Sequence, residues 1–184
     1  MQIDESFSSN YSSENKVLVE RYSKTLDFID GLISPSDKIL DLGPVNPLSK
    51  LMVEKGFDVE NTLEQTDLDL DYEVVKNDKY SVVTAFEILE HLVSPFPLLN
   101  SISANKLVIS VPLRLWFATA YWNEHDPFDR HYHEFEPRQL DMLLEKAGWT
   151  IRKKDQWASG SRKFGIRPFL RRITPRYYIV YCER

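Results

Sequence analysis

The sequence predicts a doubly wound, mostly parallel α/β sheet, and three features predict it. Short apolar runs at Ile39–Leu42, Tyr80–Phe86 and Lys106–Val111 alternate with segments whose apolar residues recur at helical spacing. Each run ends at an acid, a glycine or a proline, which is how a buried strand gives way to a loop. The loops that follow collect Asp, Glu and every histidine of the chain: His91, His125, His131 and His133. In such sheets ligands bind outside the carboxyl ends of the strands, so that placement marks the candidate site.

The stretch Lys38-Ile39-Leu40-Asp41-Leu42-Gly43-Pro44-Val45-Asn46-Pro47 organises the rest. An apolar run closes on a carboxylate, turns at a glycine and meets a proline suited to a first helical turn, so it reads as strand, loop, helix. A loop of this kind suits a nucleotide-like cofactor, because glycine admits close backbone approach and a helix start offers N–H groups. Val45 and Pro47 stand where a glycine-rich cradle would have glycines, and an ordinary strand-to-helix turn is the competing reading.

With 184 residues, 42% of them hydrophobic, the chain can bury one sizeable core, and a single domain over 1–184 is expected. The lone Cys182 excludes an intramolecular disulfide. Met1–Asn10 lacks the basic and apolar regions of a signal peptide, and no apolar run approaches the roughly 20 residues of a membrane span. A soluble, cytoplasmic protein is the expectation. Net charge is −5, unevenly spread: residues 151–184 hold ten Lys+Arg against two Asp+Glu, whereas residues 1–150 hold 13 against 26. A solvated basic face explains that end better than a nucleic-acid footprint does.

In chain order, Ser12 or Ser13 caps a helix over 12–34 with Val17, Leu18, Tyr22, Leu26, Ile29 and Leu32 on one face, stopped by Pro35. Leu48–Lys55 forms a short helix ended by Gly56, and Phe57–Leu63 a weak second strand. Asp67-Leu68-Asp69-Leu70-Asp71 alternates carboxylates with leucines, placing acids at a rim. The β-branched run Tyr80–Phe86 leads into Glu87-Ile88-Leu89-Glu90-His91. A short helix carries Leu98, Leu99 and Ile102, and a buried strand runs from Lys106 to Val111. The long segment 113–136, with Trp116, Phe117, Tyr121 and Trp122 before His125–Glu134, reads as an aromatic lid or binding loop. Pro137 opens a helix that Gly148 ends. Trp149–Trp157 and Tyr177–Cys182 read as closing strands, with Ala158–Arg176 as a long basic loop between them.

Ile39-Leu40-Asp41-Leu42-Gly43, Asp67-Leu68-Asp69, the run Tyr80–His91, Val108–Pro112 and His131-Tyr132-His133-Glu134-Phe135 together resemble the class I S-adenosylmethionine-dependent methyltransferases, nearest the small-molecule, quinone-biosynthesis-like branch. The resemblance spans about Lys38 to Trp157, and Tyr177–Cys182 fits an antiparallel last strand. It implies a seven-stranded Rossmann-like methyltransferase fold. The short stretch before Asp67 leaves the second helix and third strand reduced or absent.

The resemblance further implies S-adenosyl-L-methionine as cofactor, with Asp41 and Gly43 lining its methionine half, Asp67 receiving the adenine amino group, and Phe86 and Glu87 flanking the sulfonium. Glu60 or Glu64 would bind the ribose, neither in clean register. Trp116, Tyr121 and Trp122 would wall the acceptor, and His91, His131 and His133 are candidate bases, because histidine titrates near neutral pH. The expected activity is methyl transfer to oxygen, nitrogen or carbon of an acidic or aromatic small molecule. Three rivals stand beside it. The chain is a non-catalytic cofactor-binding or scaffold protein of the same fold, or an RNA-directed enzyme using the basic end, or a metal protein with ligands among His125, Asp126, Asp129, His131 and His133.

Overall fold

The computed structural model describes residues 13–63, 66–126, 129–159 and 165–184. Its sheet is assembled from β1 (Lys38–Asp41), β2 (Asp58–Asn61), β3 (Val82–Phe86), β4 (Lys106–Pro112), β5 (Thr150–Ala158) and β6 (Pro175–Glu183) in the spatial order β2-β1-β3-β4-β6-β5. The first four strands are parallel, and β6 runs antiparallel to both β4 and β5. The expected antiparallel last strand is therefore present. Between β2 and β3 the described residues form only a 3-10 turn, Glu73–Lys76, so the third strand and second crossover helix of a seven-stranded sheet are missing there. β2 is consequently an edge.

Side chains alternate across the strands and feed two cores. On one face Ile39, Val82, Val108, Ile179 and Tyr181 pack against α1 (Ser13–Ile29) through Leu26, Phe28 and Ile29, and against α2 (Pro47–Glu54) through Leu48 and Met52. On the other, Leu40, Val83, Leu107, Ile109 and Val180 meet α3 (Pro95–Ser101) through Leu98 and Leu99, and α4 (Pro137–Lys146) through Leu140 and Leu144. The result is three layers, with strand ends and their loops exposed along one rim.

Local chemistry accounts for the helix limits. Asn46 caps α2 by accepting from Leu48 and Ser49 N–H, Pro47 takes the first turn, and Gly56 leaves the helix at φ +90°. In α4 Pro137 again opens, Glu136 and Gln139 form a capping box, and Gly148 exits at φ +86°. Helix α1 ends at Ile29 rather than near Pro35, because Gly31 at φ +72° turns the chain first; Ile33 still reaches the core. The expected Ser12 cap lies outside the described residues.

Two further expectations change. The basic segment 158–176 is not wholly loop: Ile166–Ile173 forms α5, with Ile166, Phe169 and Ile173 on its exposed apolar side. Its i, i+3, i+7 spacing was masked by the flanking Gly165 and by Pro168, which the first turn of a helix tolerates. In the acidic alternation only Leu68 is buried, while Leu70 is exposed, because Asp67 turns the backbone by accepting from Asp69 N–H. Among the described residues no helix is long and apolar enough to cross a membrane.

Arg184 fastens the end of the second core away from that rim. Its guanidinium lies 4.1 Å over the Trp149 ring and donates to the carbonyls of Ile102 (2.7 Å), Leu99 (3.0 Å) and Ala147 (2.6 Å). These carbonyls end α3 and α4, where a helix leaves acceptors unpaired. Arg184→Ala should lower the unfolding free energy by about 2 kcal/mol, measured by denaturant titration; a change under about 0.5 kcal/mol would contradict the clip.

Candidate active site

The C-terminal ends of β1 and β3 lie side by side, with Asp41 opposite Thr84. Asp41 is 1% exposed, and its carboxylate accepts from Thr84 Oγ1 (2.6 Å), Asn61 Nδ2 (3.0 Å) and Asn46 Nδ2 (3.5 Å). Gly43 follows at φ +101°, its N–H donating to Thr62 Oγ1 at 2.8 Å; a β-carbon there would stand 3.0 Å from Ile88 Cδ1. Asp41 thus braces the loop from beneath, holding the ends of β1, β2 and β3 together. The α2 start offers fewer N–H groups than its position promises, since Asn46 Oδ1 already takes those of Leu48 and Ser49.

Farther along the rim, the chain leaves β3 through Glu87, which sits at φ +56°, a backbone strain of the kind held at working sites. Its carboxylate is fixed from two sides: Arg21 of α1 pairs with Oε2 at 3.0 Å, and Ser110 of β4 donates to Oε1 at 2.8 Å. Arg21 also lies over the Tyr22 and Tyr177 rings at 5.4 and 5.6 Å. Burial pushes the Glu87 carboxyl up, and Arg21 and Ser110 pull it back. Glu90, 1% exposed, is raised well above the ordinary carboxylate range by burial and then by Glu87. Its backbone carbonyl accepts Tyr132 N–H at 2.7 Å, which pins segment 113–136 against the end of β3.

The three candidate bases separate into a pair and a single. His91 and His131 meet edge to face with ring centroids 4.9 Å apart. His91 Nδ1 lies 3.2 Å from the Arg130 carbonyl, and burial, then His131, lowers its pKa, so the ring is neutral. His133 turns away: its Nε2 lies 3.2 Å from the Val93 carbonyl and its ring packs on Phe135.

Of the expected acceptor wall, Tyr121 packs on His131 at 5.1 Å and donates to Asp129. Trp122 stacks under Arg130 at 4.4 Å, while Trp116 is 73% exposed beside Phe117. Phe86 is half-buried at the end of β3. Asp67 is exposed, and its neighbour Asp69 caps the approach to α3 through Val93 and Ser94 N–H. Glu60 is not presented to the rim: Lys79, Tyr80 and Lys38 hold it and lower its pKa to about 2. Glu64 lies outside the described residues.

Neither do the suggested metal ligands converge as a set, since Asp129 is spent on Tyr121 and Asn123 and His133 faces Val93. Among the described residues, the group whose ligand atoms lie within 4.8 Å of one another is Glu90, His91 and His131. Arg21, Asn61, Ser110 and Glu90 went unassigned in the sequence. The only local sign for any of them was Glu90, one helical turn after Glu87 and next to His91.

The family model for the methyltransferase domain matches residues 15–154, and the chain belongs to that family. The cofactor that membership brings is S-adenosylmethionine. No curated protein matches the sequence. Among solved structures, the chain resembles magnesium protoporphyrin IX methyltransferase from Synechocystis PCC 6803 with bound S-adenosylhomocysteine, at TM-score 0.62 and 14% identity, covering 96% of this chain and 89% of that one. A SAM-dependent methyltransferase from Archaeoglobus fulgidus aligns at TM-score 0.57 and 16% identity over 92% and 94%. A chain in the complex of the Haloferax volcanii Trm112 methyltransferase activator with a methyltransferase aligns at 0.63 and 14% over 100% and 99%. These likenesses concern the fold.

Burial pushes Asp41 up to about 6, against the hydrogen bonds of Thr84, Asn61 and Asn46. The folded value lies above the ordinary 3.8, so between about pH 4 and pH 6 the folded chain keeps a proton that the unfolded chain has lost. The stability linked to this proton is present below pH 4 and gone above about pH 6, a difference of about 3 kcal/mol. Subtracting the stability-versus-pH curve of Asp41→Asn from that of the wild type should leave a fall of that order across this window. A flat difference would show that Asp41 is not strained by burial.

Proposed function

We propose that this chain transfers the methyl group of S-adenosylmethionine to an oxygen, nitrogen or carbon of a small-molecule acceptor that is acidic or aromatic. The observation that carries the reading is the convergence, at adjacent ends of β1 and β3, of the Gly43 loop, the fixed Glu87 carboxylate and the pair that His91 makes with His131 of segment 113–136. The residues present fit the cofactor: the Gly43 loop ends β1 beside the end of β3, and the Glu87 carboxylate, held ionised by Arg21 and Ser110, lies where a sulfonium cation would sit. Asp41 and Gly43 would hold the methionine half, Asp67 the adenine, and Phe86 with Glu87 the region of the sulfur. Bound there, the cofactor supplies an electrophilic methyl group.

The chain's part is alignment and proton handling. Tyr121 and Trp122 offer ring surface that orients a flat acceptor, and alignment is where most of the rate of such a transfer comes from. His91, neutral at physiological pH, and His131 beside it accept the proton released by an acceptor O–H or N–H. The self-capped start of α2 favours a rival reading, a protein that keeps the fold without turnover. Calorimetric titration with S-adenosylmethionine and S-adenosylhomocysteine separates them. Micromolar binding, weakened at least tenfold in Asp41→Ala and Asp67→Ala, is the expected result. No heat at millimolar cofactor would leave only the fold.

The basic helix α5 supports an acidic acceptor, since Arg167, Arg171 and Arg172 ride on the connection between β5 and β6 at the same rim. Replacing the three with glutamine should raise KM for the acceptor by roughly three- to tenfold with kcat little changed. An unchanged KM would remove acidity from the description of the acceptor.

A further inference from the structure

We infer that Glu90, His91 and His131 form a site for a first-row divalent cation, whose open positions take oxygen atoms of the acceptor. The inference rests on the methyl-transfer reading only for the identity of that last ligand. The donor atoms of the three residues all lie within 4.8 Å of one another, and Glu90 Oε1 is 3.7 Å from His91 Nε2. Two ligands each about 2.1 Å from one ion in tetrahedral geometry stand roughly 3.4 Å apart, so an inward shift brings the three donors onto one ion.

The second observation is independent of that spacing. Glu90 Oε2 is the one buried side-chain oxygen or nitrogen, among the described residues, with no hydrogen-bond partner. An orphan of this kind normally costs free energy, and native interiors hold few of them. Arg21, the arginine that acts on it, is paired directly with Glu87, and the neighbouring Glu87 and Glu134 press the Glu90 carboxyl the other way. A divalent ion supplies both the missing partner and the missing charge.

The histidines are set up as ligands from behind. His91 Nδ1 donates to the Arg130 carbonyl, which leaves Nε2 with its lone pair directed at Glu90. His131 Nδ1 lies 3.5 Å from Glu134 Oε1, the carboxylate-to-histidine backing that metal-bound imidazoles commonly have. Two imidazoles and one carboxylate select manganese, iron, cobalt or zinc over magnesium or calcium, which prefer all-oxygen sets. Three protein donors leave at least one position open. An acceptor hydroxyl or carboxylate seated there is oriented against the Tyr121 face, and a hydroxyl loses its proton more readily beside the ion. In the loaded protein His91 and His131 therefore act as ligands, and the proton passes to water.

The test needs neither cofactor nor acceptor. The full chain, stripped with chelator, is titrated separately with Mn²⁺, Co²⁺ and Zn²⁺, following the thermal midpoint and, for cobalt, the visible absorption of the bound ion. At about one hundred times the dissociation constant the midpoint should rise by about 5 to 10 °C. Glu90→Gln and His131→Ala, on different segments, should each lose at least tenfold in cation affinity while still unfolding cooperatively. No response to any of the three ions, or wild-type affinity in either variant, would overturn the site. Cofactor titration of the stripped protein keeps the two ideas apart. Cofactor binding without a cation response sinks the cation site alone, whereas a cation response without cofactor binding upholds the site and sinks methyl transfer.

Discussion

The ion pair between Arg21 and Glu87 is the interaction on which the rim depends. It joins α1 to the residue that follows β3 across 66 positions of sequence, and it draws down a carboxyl that burial pushes up. Removing one member of a buried pair strands the other, at a typical cost of 3 to 5 kcal/mol. Here the cost would fall on a residue already at positive φ, whose neighbours Glu90 and His91 take their positions from the same turn. Through the Glu90 carbonyl the constraint passes on to Tyr132 and His133, and so to segment 113–136.

Asp41 does the corresponding job at the other strand end. A buried carboxylate with three side-chain donors is an expensive way to fasten three strands, and an apolar residue would be cheaper. What the carboxylate adds is direction: it orients Asn61 and Asn46, and Asn61 also reaches the Gly43 carbonyl at 3.3 Å. The loop is thereby held open at its glycine, although its prolines forgo two N–H groups. The missing third strand leaves β2 as an edge only four residues long, paired on one side only, a length that limits strand addition.

Most of the fold was legible because its signals are local. The run Val82-Val83-Thr84-Ala85-Phe86 announces β3, and Pro137 with Gly148 brackets α4 by the chemistry of helix ends. The shortened stretch between β2 and β3 is visible as simple lack of length. Helix α5 was hidden because its three apolar residues are spread among arginines and a proline, in a segment where glycine and charge dominate. The site was legible only in outline. Asp41, Gly43 and Glu87 stand at strand ends as expected, but their partners Asn61, Ser110 and Arg21 come from distant segments, and nothing in a linear chain says that they meet. Glu60 looked available because its captors, Lys38 and Lys79, approach from two other segments. His133 looked equivalent to His131 until the backbone turned it toward Val93.

The central claim is that the ends of β1 and β3 are built to hold S-adenosylmethionine with its sulfur at the Phe86–Glu87 turn. A crystal structure of the protein grown with S-adenosylhomocysteine tests this directly. The account predicts the ligand lying across the Gly43 loop, with its sulfur in van der Waals contact with the Phe86–Glu87 backbone and the Arg21–Glu87 pair intact. A ligand bound elsewhere, or a site left empty at saturating concentration, would contradict it.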